Sequence, residues 1–113
     1  MDERIHKWLY DIKLSIEEID SFFQNIEKDF FKYRANIMLK RAVERNLEII
    51  GEAVNRIVTR DSSYIEKISN AKSIIGLRNQ VIHAYDNISD ENIWSILIYH
   101  LPKLKSEIEL LIS

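Results

Sequence analysis

The chain has 113 residues, 46% of them hydrophobic and 30% charged, with two Gly, one Pro and no Cys. Such a composition describes one small domain over residues 1–113 that can bury a core, and it excludes a disordered chain, a disulfide scaffold, a Cys-ligated zinc site and a thiol nucleophile. A net charge of −2 gives the whole molecule no long-range pull on nucleic acid, and the scarcity of chain breakers favours a few long helices over a turn-rich β fold.

The first predicted element is an amphipathic helix. Ile5, Trp8, Leu9, Ile12, Ile16, Ile19, Phe22, Phe23 and Ile26 recur at steps of three and four, with charged residues between them. A second helix is expected from about Phe31 to Arg60, and its apolar arc is wide enough to touch two layers, the second being another helix or a second subunit. Charge reverses between these segments: residues 1–30 carry four Lys/Arg against eight Asp/Glu, and residues 31–60 carry seven against three. Gly51 and Gly76 each cost about 1 kcal/mol of helix propensity, which close approach of a neighbouring backbone offsets if it occurs there.

Asp61, Ser62 and Ser63 interrupt the pattern before a short helix through about Ser69. A third main helix is expected from Ala71 to Ala84, with a turn at Asp86 and Asn87. Ser89 then caps the last helix, Asp90 and Glu91 occupy its positive first turn, and Ile88 stands where a hydrophobic staple to Ile93 would form. Pro102 falls inside this helix and predicts a kink. No apolar run is long enough to span a membrane and the charged start is unlike a secretory leader, so a cytoplasmic protein with no membrane association is expected.

Of the three histidines, His6 and His100 have no acid, base or metal-ligand companions at helical spacing. No His pair spaced for a metal, no Gly-rich phosphate loop and no nucleophile elbow is found, so no metal and no cofactor is expected. What remains is Gly76-Leu77-Arg78-Asn79-Gln80-Val81-Ile82-His83-Ala84-Tyr85-Asp86, where four polar functional types crowd the end of one helix. On a helical wheel Asn79 and His83 share a face, Arg78 and Tyr85 share another, and Arg78 and His83 stand about 140° apart. One straight helix does not aim both at one atom. Three solutions stay open: a distorted helix, a long Arg reaching around, or a second chain completing the site. The bland reading, local pairing of Arg78 and Asn79 beside a structural histidine, stays open with them.

A helix C-terminus favours imidazolium and holds a histidine there near neutrality. RNA transesterification needs a base for the 2'-hydroxyl, an acid for the departing 5'-oxygen and a cation for the charge on phosphorus. His83 fits proton transfer and Arg78 the cation, and a dimer sharing two His83 residues would supply acid and base together.

Arg78-Asn79-x-x-x-His83-x-Tyr85 resembles the Arg-x(4-6)-His motif of HEPN-domain proteins, in the form found in the HepT-like group of toxin-antitoxin systems. The segments Asp11-Ile12-x-x-Ser15-Ile16 and Arg45-Asn46-Leu47-Glu48-Ile49-Ile50-Gly51-Glu52-Ala53, and the length, are similar to the same group. The resemblance implies an all-α, antiparallel HEPN bundle of about four main helices plus a short one, forming a homodimer. It implies a type VII-like toxin, a metal-independent endoribonuclease with catalytic Arg78 and His83 and supporting Asn79. It also implies an MntA-like nucleotidyltransferase antitoxin, which silences the toxin by attaching AMP to Tyr85. The alternative is a non-catalytic helical module that binds nucleotide or docks such a nucleotidyltransferase.

Overall fold

Asp2 starts the first helix. In the computed structural model, which describes residues 2–83 and 89–113, its carboxylate accepts from the backbone N–H groups of Arg4 and Ile5 at 2.8 and 3.3 Å and so caps α1 (Glu3–Phe22). The other oxygen of the same carboxylate accepts from Arg60 Nε at 2.7 Å, which fastens the start of α1 to the end of α3 (Ile37–Arg60). That guanidinium, with the two backbone donors, holds the Asp2 carboxyl below its ordinary pKa against the opposing effect of desolvation.

The elements between and after these two are α2 (Phe30–Ala35), α4 (Tyr64–Lys67), α5 (Ala71–His83), α6 (Asp90–Ser95), a π-helical turn (Ile96–His100) and α7 (Leu101–Ile112). The described residues contain no strand, and the fold is the expected all-helical bundle. Two expectations need correction. The first helix stops at Phe22 instead of running on to Ile26, which is left 39% exposed, because Phe23 leaves helical geometry and the polar stretch after it cannot bury a face. The element expected to run unbroken to Arg60 is divided at Asn36. Its backbone is extended and its side chain accepts from Leu39 N–H at 3.0 Å, so α3 gains a cap at the cost of continuity with α2. A periodicity count passes over such a break.

The core is laid on two long helices. Leu9, Ile12 and Ile16 of α1 and Val43, Ile50, Val54 and Ile57 of α3 are at most 1% exposed. Buried Asn46 sits in this seam with its amide satisfied, donating to Ala42 O at 3.0 Å and to Glu18 Oε1 at 3.3 Å. On its second side α3 carries α5, and α1 carries α7, so the wide apolar arc of α3 serves two layers within one chain. Under α2, Tyr33 packs on Trp94 with ring centroids 5.3 Å apart. Its hydroxyl is buried without a partner among the described residues, and burial pushes the phenol above its ordinary pKa.

Ser89 caps α6 as expected, accepting from Asn92 N–H at 3.2 Å, and Lys40 joins α3 to the head of α6 through Asp90 at 3.2 Å. The disturbance expected at Pro102 takes the form of the π turn. Leu101 N–H donates to Ile96 O, five residues back, and this wider turn accommodates a ring that has no N–H to offer and would collide with a carbonyl in regular helix. Helix therefore continues from Asp90 to Ile112. The positions of Ala84, of the turn at Asp86 and Asn87, and of the staple at Ile88 lie outside the described residues.

Candidate active site

The motif helix α5 begins after Asn70, whose φ of 61° is the left-handed conformation that Asn tolerates better than other side chains. Ala71 and Leu77 bury one flank, and the helix runs through Gly76 to His83 without interruption. Of the three solutions left open for the Arg78–His83 pair, a helix distorted between them is therefore not present. His83 is the last residue of α5, and Tyr85 lies outside the described residues.

Gly51 of α3 determines where Arg78 stands. A Cβ placed on Gly51 would overlap Arg78 Cβ and lie 3.1 Å from both Arg78 Cγ and the Ile74 carbonyl oxygen. The aliphatic stem of Arg78 thus rests in the notch left by the missing side chain, as the close-approach reading of Gly51 expects. Gly76 does not behave the same way: a Cβ there would meet nothing within 4 Å, so its cost in propensity is not offset by packing.

Beyond its stem, Arg78 donates from Nη1 to Asn79 Oδ1 at 3.0 Å. This brings together two of the predicted site residues, and it is also the local pairing that the bland reading requires. The bland reading leaves one atom unexplained: Arg78 Nε is buried with no acceptor among the described residues. A buried donor without a partner costs about 1–3 kcal/mol, so the described residues leave this arginine one acceptor short.

A cleft of about 420 Å³ lies on the other flank of α5. The bundle is a ring of four helices in which α5–α3, α3–α1 and α1–α7 pack tightly, while α5 and the C-terminal helix stand apart around this opening. Leu77, Gln80, Ile96, His100 and Lys103 are among its lining residues, whereas Arg78 and Asn79 are not. His100 has no metal or acid-base companion at helical spacing, so motif spacing does not single it out. The available signal was positional: Ile96, His100, Lys103 and Glu107 recur at steps of three and four along one face. Among the described residues, no three His, Asp or Glu side chains are grouped to hold a metal ion, and no helix is long and apolar enough to cross a membrane.

Comparison with known proteins adds to this geometry. A family model described as ribonuclease HepT-like matches residues 12–111. A protein named as an RNase in Methanocaldococcus jannaschii is 38% identical over 108 residues, covering 94% of each chain. A protein of Thermococcus cleftensis named as a ribonuclease HepT is 31% identical over 108 residues, covering 95% of this chain and 96% of its own. A protein of Caldanaerobacter subterraneus named as an RNase is 34% identical over 84 residues, covering 73% of this chain and 70% of its own. No solved structure matches the chain.

Proposed function

Because this chain belongs to the HepT-like ribonuclease family, we propose that it is a toxin endoribonuclease that acts without metal as a homodimer, its site built from Arg78 and His83. The observation that carries the reading furthest is the arrangement of Arg78, with its stem fixed over Gly51, one nitrogen on Asn79 and one buried N–H without an acceptor among the described residues. An arginine held this way loses little freedom when its outer guanidinium nitrogens bind a phosphate oxygen.

In the proposed reaction one His83 removes the proton of a 2'-hydroxyl and the oxygen attacks phosphorus. The bond to the 5'-oxygen breaks, the His83 of the other copy protonates that oxygen, and the products are a 2',3'-cyclic phosphate and a 5'-hydroxyl. Arg78 stabilises the charge that builds on the phosphoryl oxygens, and Asn79 fixes the guanidinium plane. DNA lacks the nucleophile. The test is cleavage of single-stranded RNA by the purified protein in excess chelator. The expected ends are cyclic phosphate and 5'-hydroxyl, with DNA of the same sequence intact. Loss of activity in chelator, or 5'-phosphate ends, overturns the mechanism.

Control of the toxin falls to Tyr85, two residues beyond His83 in sequence. Attachment of AMP there adds bulk and negative charge where the RNA phosphate must approach His83. Incubation with ATP and an MntA-like nucleotidyltransferase is expected to add AMP and stop cleavage. Tyr85→Phe should gain no mass and stay active in the presence of the partner. Modification of Tyr85→Phe to the same extent would place the acceptor elsewhere.

A further inference from the structure

The proposed chemistry does not use the cleft between α5 and the C-terminal helix. Its apolar walls are Leu77 on one side and Ile96 and Leu104 on the other. Gln80 of α5 and Asn92 of α6 also line it, and each carries an amide with a donor and an acceptor. On the far wall stand His100, the last residue of the π turn, and Lys103, three residues on. The lining also includes one carboxylate, Glu107, but this is occupied, since it accepts from Ser69 N–H at 3.2 Å and from the Ser69 hydroxyl at 2.5 Å.

We propose that this cleft is a base-binding subsite for single-stranded RNA: it takes one unstacked nucleobase next to the scissile phosphate. This rests on the ribonuclease reading for its biological purpose, though not for its chemistry. Apolar walls with a few convergent polar groups, in a volume of this size, are typical of small-molecule sites. Two neighbouring amides match the mixed donor and acceptor edge of a base, which a purely hydrophobic partner helix would leave unpaired. His100 offers a flat ring for stacking, and Lys103 offers the charge for the attached phosphate. The place is right as well. Gln80 precedes His83 by three residues, a rise of about 4.5 Å along α5, so a strand that crosses the end of this helix passes the cleft.

The test uses the full chain with adenosine, guanosine, cytidine and uridine 5'-monophosphates, and ribose 5-phosphate as a probe without a base. Binding is read by calorimetry and mapped by NMR. We expect at least one nucleotide to bind, with shifts at Gln80, Asn92 and His100, and with an affinity that depends on the base. His100→Ala should weaken it at least about fivefold, and Gln80→Glu should change the order of preference among bases and, in RNA, the preferred nucleotide beside the cut. Asn92→Asp, a smaller change, provides the same reading should His100→Ala fail to fold. Equal binding of ribose 5-phosphate overturns the proposal, as does the absence of binding by every nucleotide, shifts confined to another face, or a cleft shielded by a second copy of the chain. Nucleotide binding without RNA cleavage leaves the subsite standing and defeats the ribonuclease reading. Cleavage with unchanged sequence preference in Gln80→Glu and Asn92→Asp does the reverse.

Discussion

Replacing Arg78 with methionine is expected to lower RNA cleavage about 10²–10³-fold while leaving the protein as stable as before or more so. The two signs have separate origins. Methionine keeps an unbranched stem over Gly51 and removes a buried N–H that has no acceptor among the described residues. Removing that unpaired donor recovers part of its penalty of about 1–3 kcal/mol, against which the Arg78–Asn79 hydrogen bond contributes about 1 kcal/mol. Catalysis loses the role proposed for the arginine, stabilisation of phosphoryl charge. His83→Ala is expected to lose about 10²–10⁴-fold by removing proton transfer. Initial rates on RNA, paired with urea melts of the same preparations, check both variants. A methionine variant that is less stable yet equally active would make Arg78 a structural residue.

Gly51→Ala is the second large effect, and two opposed terms decide its sign. Alanine improves helix propensity by about 1 kcal/mol. Overpacking costs about 1–3 kcal/mol where neighbours cannot yield. Here they cannot: the added methyl meets the first carbon of Arg78, which is rigidly attached to α5, and approaches a backbone carbonyl of the same helix at 3.1 Å. Overpacking wins, with a net loss of up to about 2 kcal/mol, and α5 must move off α3 with the motif on it. RNA cleavage should fall at least about tenfold, because displacement of a catalytic group by about 1 Å costs up to a hundredfold. Gly76→Ala is the stability control. With nothing within 4 Å of its would-be Cβ, it should gain about 0.5–1 kcal/mol in the same melts. If both glycine substitutions stabilise, the notch over Arg78 has no role.

Periodicity carried the helices well where one face met one neighbour, as in α1 from Ile5 to Ile19 and in the last helix from Ser89 onward. It failed at Asn36, because a cap is a local hydrogen bond and a hydrophobic pattern can run through it undisturbed. It foresaw the wide arc of α3 but left two partners possible, and the second layer proved to be α5 of the same chain. For the site, the pairing of residue types near Arg78 was legible, and the role of Gly51 only as one of two options. The spatial link between Gly51 and Arg78 joins positions far apart in sequence, and no spacing rule reaches that far. His100 was dismissed for the same reason, since its companions Gln80 and Leu77 stand on another helix.

The ring with one open side has a mechanical consequence. Helix α5 is clamped to the rest of the molecule chiefly by α3, whereas α1 and α3 are each held by more than one neighbour. Free energy of local opening follows such differences in attachment, so the stability of α5 rests mainly on its one seam with α3. A substitution that weakens this one seam therefore acts on the whole motif-bearing helix, while the α1–α3 frame keeps its other attachments.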